Sequence, residues 1–305
     1  MWKERIIGQY SEGRPGPLFL VSAAIHGNEI AGVRAIEKLA YLLKMEAINN
    51  TDFRFSGKFL GFIGNLKAYK SGKRYIDMDL NRIWNNEGLN DSIAEYTEMQ
   101  AIKDLINETI AEKENIREIY LLDLHTTSSP RGIFTVPCDQ EKSLELAMHL
   151  HCPVITNVTD QLKGSMVAYF SDSKIEERAI TCLAFEAGQH DQPLSVTMSI
   201  AAMVNCMRTI GCVDAEEVEG KHDDVLQAFA EGLPGKCKIV YKYAIEDAAV
   251  FEMLPGFEGF QKVMEGQLLA YYNGHEVRAP MEGRLLMPLY QKQGKEGFFI
   301  IRDEI

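Results

Sequence analysis

Two hydrophobic patterns alternate along the first two-thirds of the chain. Short runs at 18–25, 58–63, 119–124, 133–136, 154–156 and 180–185 are apolar at nearly every position. Runs of that length and texture predict strands covered on both faces. Between them, Ile30, Val33, Ile36, Ala40 and Leu43 recur at helical spacing, and so do Ile93, Tyr96, Met99, Ile102, Ile106 and Ile110. Ser92 followed by Glu95 reads as a capping box opening that second helix. A long apolar helix is expected over 194–210, and the stretch 77–90 reads as irregular. Strands alternating with amphipathic helices predict an α/β fold, a mostly parallel sheet with helices on both faces.

The texture changes after the acidic segment 214–224. Beyond it, strand-like runs at 238–245, 267–272, 284–287 and 298–301 are separated by Pro255-Gly256, Asn273-Gly274, Ala279-Pro280 and Glu282-Gly283. This pattern predicts a small C-terminal all-β domain at 225–305, after a first domain at 1–218.

Composition narrows the functional classes. The 305 residues are 46% hydrophobic and 25% charged, with a formal net charge of −12. Nucleic acid and anionic membranes reward clustered Lys and Arg, so neither is an expected partner. An anionic substrate would need a local cationic pocket. No apolar run approaches the roughly 20 residues that span a bilayer. The opening Met1-Trp2-Lys3-Glu4-Arg5 has no signal-peptide core behind it, so a cytoplasmic protein is expected. Six cysteines without CxxC spacing read as reduced, buried, small hydrophobes. Self-association into a homo-oligomer stays open.

The candidate chemistry sits where strands stop. The first run ends in His26-Gly27-Asn28-Glu29, which places an imidazole and a carboxylate on one short turn at the carboxyl end of a strand. Binding sites of open α/β sheets lie there. His26 and Glu29 would supply two of the three ligands of a His/His/Glu zinc site. His125 ends another apolar strand and fits as the third, with Asp123 two residues earlier placed to orient an imidazole. Glu186 ends the strand 181–185 before Ala187-Gly188. It is the candidate general base for a water. Arg74, Asn81 and Arg82 lie among aspartates and aromatics in 73–84. Arginines there could grip a substrate carboxylate or an oxyanion, or pair with the local aspartates in a solvated loop.

Together, His26-Gly27-Asn28-Glu29, Gly64-Asn65, Arg74, Asp79-Leu80-Asn81-Arg82, Asp123-Leu124-His125-Thr126-Thr127 and Glu186-Ala187-Gly188 resemble the succinylglutamate desuccinylase/aspartoacylase family, relatives of the zinc carboxypeptidases. The resemblance covers most of 18–190. It implies a three-layer zinc-peptidase-like fold and a hydrolase that cleaves the amide of a small N-acyl amino acid with one Zn2+ per chain. By the same resemblance His26, Glu29 and His125 hold the metal and Glu186 activates water. Arg74 polarises the scissile carbonyl, and Asn81 and Arg82 hold the α-carboxylate. The C-terminal β domain narrows the mouth, and Tyr290 matches a tyrosine that contacts substrate. One departure concerns the second carboxylate of N-acetylaspartate, which aspartoacylases recognise with an arginine shortly before the general-base strand. Residues 163–170 offer no equivalent, and Arg178 lies in a stretch that reads as helical.

Three rivals keep the same residues. A carboxypeptidase would prefer longer peptides. An esterase would prefer esters over matched amides. A non-catalytic metal-dependent binding protein on this fold would be expected to lack a ligand or the base, and here every such position is filled.

Overall fold

Consecutive residues of the central strands are buried against opposite layers, which is why those strands read as continuous apolar runs. The computed structural model describes residues 2–111, 116–175, 177–214 and 220–304. Its helices are α1 (Ala31–Asn49), α2 (Leu66–Ser71), α3 (Ala94–Ala111), α4 (Glu141–Met148), α5 (Val158–Gln161), α6 (Met166–Asp172), α7 (Pro193–Thr209) and α8 (Lys221–Ala230). The strands of the first part are β1 (Ile6–Ser11), β2 (Gly16–Ala23), β3 (Lys58–Ile63), β4 (Ile116–Thr127), β5 (Ile133–Pro137), β6 (Val154–Thr156), β7 (Lys174–Ile175) and β8 (Arg178–Gln189). Those of the last part are β9 (Lys236–Ala244), β10 (Phe251–Met253), β11 (Lys262–Val263), β12 (Leu268–Tyr272), β13 (His275–Arg278), β14 (Gly283–Leu286) and β15 (Glu296–Asp303).

On β2, Phe19, Val21 and Ala23 pack in the layer of α1 and α7, whereas Leu18 and Leu20 pack in the layer of α3 and α6. β4 repeats this with Tyr120, Leu122 and Leu124 on the first side and Ile119 and Leu121 on the second. The strand order is β1-β3-β2-β4-β8-β5-β6-β9-β15-β14-β11, with β7 paired to β8. Pairing is parallel from β3 through β2 and β4 to β8. β5 runs antiparallel to β8, and β6 pairs parallel to both β5 and β9. The sheet thus continues through β9, β15, β14 and β11, while β10, β12 and β13 form a separate three-stranded sheet. Expected strands and helices are present, and the α/β sheet layered by helices with a smaller β part follows the sequence reading; the parallel pairing expected of it is confined to β3-β2-β4-β8 and β5-β6-β9, and the other pairings are antiparallel.

Two local expectations are corrected. Ser92 does not cap α3. Its hydroxyl donates to Asn90 Oδ1, the helix starts at Ala94, and Asp77 Oδ2 accepts from the Ala94 N–H. Arg178 opens β8 in a β7–β8 hairpin rather than lying on a helix. Residues 215–219 of the expected boundary lie outside the described residues, and α8 packs on α7 just after them. All six cysteines are free and buried. Among the described residues, no helix is long and apolar enough to cross a membrane.

Candidate active site

Three parallel strand ends converge on one side of the sheet. After β2, Ala24 takes a left-handed conformation (φ 52°) that turns the chain toward His26. Gly27 follows, where a Cβ would sit 2.2 Å from the Ala68 carbonyl carbon of α2, so only glycine lets the turn approach that helix so closely. His125 and Glu186 are register partners on β4 and β8, and side chains of paired residues share a face.

The imidazoles of His26 and His125 are buried with ring centroids 5.3 Å apart. Their Nδ1 atoms face opposite oxygens of one carboxylate, His26 at 2.9 Å from Glu29 Oε1 and His125 at 3.1 Å from Glu29 Oε2. The Thr126 N–H also donates to Glu29 Oε2. On the far side of each ring stands another carboxylate. His125 Nε2 is 2.8 Å from Asp123 Oδ2, and Ser22 donates to the other Asp123 oxygen. His26 Nε2 is 3.1 Å from Asp79 Oδ1, and Arg74 Nη2 donates to Asp79 Oδ2. Arg74 Nη2 also lies 2.9 Å from His26 Nε2. The Asp123 carboxylate beside His125 Nε2 and the Asp79 carboxylate beside His26 Nε2 hold the two rings in place, as the outer partners of metal-binding histidines do.

The donor set fits a zinc-type cation. One nitrogen from each imidazole and one Glu29 oxygen lie within 4.8 Å of one another, all buried. Two imidazoles and a carboxylate suit Zn2+. Opposite charges in this cluster hold one another ionised. Burial opposes ionisation of both partners, yet the histidines hold the Glu29 carboxyl well below its usual range. In turn Asp123 and Glu29 hold the His125 imidazole well above its ordinary value. Asp79 is likewise held low, against burial, by His26, Arg74 and Arg82.

Glu186 is different. Burial pushes its carboxyl up to about 7, with Glu29 adding to the rise and His125 opposing it. Its Oε2 is buried without a hydrogen-bond partner.

The cationic loop is held by a device that sequence reasoning missed. Glu95, fully buried on α3, accepts from the N–H groups of Ile76, Asp77 and Met78 and from Asn65 Nδ2. Asn65 also caps α2 through the Ala68 N–H. That scaffold aims Arg74 at Glu29 (3.2 Å) and Asp79, and leaves the buried Arg74 Nε without a partner. Asn81 Oδ1 accepts from the Met166 N–H, and Arg82 bonds Glu296 and the Asn81 carbonyl.

A cavity of about 130 Å3 joins these groups. His26, Glu29, Arg74, Asn81, Arg82, His125 and Glu186 all line it. Tyr290 does not. Its hydroxyl donates to the Leu254 and Phe257 carbonyls and its N–H to Ser128 Oγ, while its neighbours Leu289 and Gln291 reach the wall. The contact of Asp79 with His26 and that of His190, whose Nδ1 is 2.7 Å from Thr126 Oγ1, could not be read from local sequence. Each depends on a contact between segments more than fifty residues apart.

Known proteins similar to this chain belong to one family. Residues 15–207 match the succinylglutamate desuccinylase/aspartoacylase catalytic domain. A probable aspartoacylase of Trichodesmium erythraeum is 32% identical over 109 residues, 35% of this chain and 34% of that one, so the match spans about a third of the relative. A succinylglutamate desuccinylase of Pseudoalteromonas atlantica is 24% identical over 296 residues, 88% of this chain and 75% of that one. The crystal structure of a succinylglutamate desuccinylase/aspartoacylase from Rhodobacter sphaeroides shares the fold, with a TM-score of 0.66 at 15% identity over 95% of this chain and 87% of that one. On the family match over most of its length, with His26, Glu29, His125 and Glu186 gathered at the strand ends, this chain is a member of the succinylglutamate desuccinylase/aspartoacylase family.

Proposed function

We propose that the protein hydrolyses the amide bond of a small N-acyl amino acid, with His26, Glu29 and His125 holding one Zn2+. The observation that carries this reading is the buried, unpartnered Oε2 of Glu186 in the same cavity as the three donors. A buried carboxylate oxygen without a partner is costly unless it has work to do. When bound, the cation would lower the pKa of a water and polarise a carbonyl.

The chain's own residues supply the rest. Glu186, with its carboxyl raised to about 7, takes a proton from water as oxygen attacks the acyl carbon, then returns it to the amide nitrogen as the C–N bond breaks. The unpartnered Arg74 Nε–H can donate to the carbonyl oxygen as it gains negative charge. The Asn81 amide is fixed through its oxygen, which turns its NH2 group away from Met166, and with Arg82 it grips the substrate carboxylate. In this reading residues 1–218 carry the chemistry. Residues 225–305 close the mouth, because Leu286, Leu289, Gln291 and Glu296 wall the cavity. That enclosure favours small substrates over polypeptides and places Tyr290 as a buttress of the wall.

The test is a panel of N-acyl amino acids, matched esters and peptides offered to zinc-loaded protein. Cleavage of the acyl amino acids by wild type, with Glu186→Gln folded, zinc-loaded and nearly inactive, is expected. Faster cleavage of longer peptides would favour a carboxypeptidase, and cleavage of esters alone an esterase. Zinc binding with no turnover at all would favour a binding protein.

A further inference from the structure

The cavity that holds the donors, Glu186 and the guanidinium groups also has a large apolar lining. Phe134 and Val136 on β5, Ala184 on β8, Ile239 on β9, Leu286 on β14 and Phe299 on β15 contribute to it, beside the neutral polar groups of Thr126, Thr127, Ser128, Ser165 and Gln291. Register explains the continuity. Phe134 pairs with Glu186 and Val136 with Ala184, so the apolar wall begins beside the general base and runs along the sheet. The Phe134 ring is held from behind by Phe260, centroids 6.0 Å apart and edge to face.

Charge at the cavity is as restrictive as its shape. Arg74 and Arg82 are the only lysine or arginine side chains that line it among the described residues. Arg74 is committed to Glu29 and Asp79. Arg82 bonds Glu296, which itself lines the cavity. One substrate carboxylate can engage Arg82 and Asn81, and no cation then remains for a second. Arg178 cannot serve. It opens β8 eight residues before Glu186, roughly 26 Å away along an extended strand. A second carboxylate would therefore find no cation in a largely apolar cavity that already holds the Glu296 carboxylate, and neutral hydroxyl and amide groups offset only part of its desolvation.

We infer that the substrate is a monocarboxylate, an N-acyl amino acid whose acyl chain or side chain beyond the scissile amide is an uncharged hydrocarbon lying against the wall of Phe134, Val136, Ile239, Leu286 and Phe299. This inference rests on the deacylase reading above and names the substrate class within it. It also sets this cavity apart from one built for a dicarboxylic acyl amino acid.

Two kinetic series test it. With glycine as the amino acid, N-acetyl, N-butanoyl, N-hexanoyl and N-succinyl substrates are compared. With acetyl as the acyl group, leucine, phenylalanine, aspartate and glutamate are compared. kcat/KM is expected to rise by about 3–5-fold per methylene from acetyl to butanoyl to hexanoyl, or to favour leucine and phenylalanine over aspartate and glutamate in the second series. The hydrocarbon members should exceed the dicarboxylates by about 100-fold. Leu162 is half-buried and lines the same cavity, and Leu162→Arg should narrow that ratio by about tenfold or more. Preference for the succinyl or acidic members in both series by wild type would overturn the inference while leaving the deacylase reading intact. If no member is hydrolysed, the deacylase reading fails, and calorimetric titration with hexanoate and adipate decides the inference separately. Tighter hexanoate binding supports it, and equal or tighter adipate binding overturns it.

Discussion

Glu95→Gln isolates the scaffold of the cationic loop without touching the cavity. Each Glu95 oxygen accepts two hydrogen bonds, Oε1 from Asn65 Nδ2 and the Ile76 N–H, and Oε2 from the N–H groups of Asp77 and Met78. Glutamine keeps the volume but sets an NH2 group against one of those pairs. Two charge-assisted bonds are lost at about 1.5–3 kcal/mol each, about 3–6 kcal/mol together. A domain's whole stability is about 5–15 kcal/mol, so the loop is expected to release before the sheet does. Arg74, Asp79, Asn81 and Arg82 all lie on or just beyond that loop, and a displacement of ~1 Å at a reacting group can cost ~100-fold. Glu95→Gln should therefore lower the melting temperature by about 6 °C or more. It should also speed tryptic cleavage after Lys73, Arg74 or Arg82, and reduce kcat/KM at least tenfold with zinc content retained. Wild-type melting, proteolysis and turnover together would refute the argument that this carboxylate holds the loop.

Other perturbations separate the remaining roles. Arg74→Ala removes the proposed oxyanion donor and should lower kcat by about 100–1,000-fold in a zinc-loaded protein; near-wild-type turnover would take Arg74 out of the reaction. Asp123→Asn leaves His125 Nε2 without its 2.8 Å carboxylate partner and should weaken zinc binding by about 10–100-fold, read by competition with a chelator dye; unchanged affinity would deny Asp123 an orienting role. For Glu186 the folded pKa of about 7 lies above the ordinary carboxylate value of 4.5, so the buried charge destabilises the fold, with a penalty that grows between those two values and is full above pH 7. In chelated protein, Glu186→Gln should thus match wild type near pH 4.5 and exceed it by about 3 kcal/mol at pH 8, measured by urea unfolding; equal stability at pH 8 would show that the carboxylate is not desolvated. Adding zinc at about 100 times its Kd should stabilise wild type by about 2.7 kcal/mol over the chelated form, and a His125→Ala protein that gains as much would exclude that ligand.

The strand ends were legible because their signal is local. An apolar run that stops at a histidine or glutamate places that residue at a sheet edge whatever the rest of the chain does. His26, His125 and Glu186 could therefore be read before any geometry was known, and Asp123 follows from the period of two along β4. Glu95 shows where local reading ends. Three residues after Ser92 it satisfied a capping pattern, but the helix already had its cap in Asp77, and loop N–H groups 17–19 residues away claimed the carboxylate. Orphaned backbone donors of a tight loop outbid a single helix-end donor, because leaving several unpaired in a buried setting costs more. The apolar wall was hidden for a different reason. Phe134, Ile239, Leu286 and Phe299 are buried strand residues, and in sequence they carry the same pattern as residues that fill a core. What distinguishes them is that they also line the cavity. That placement arises only when β5, β9, β14 and β15, which span residues 133–303, join one sheet beside Glu186. Substrate preference in this family member is thus expected to follow packing between distant strands more than any motif, and substitutions at those four positions should change which acyl amino acid is cleaved while leaving zinc affinity unchanged.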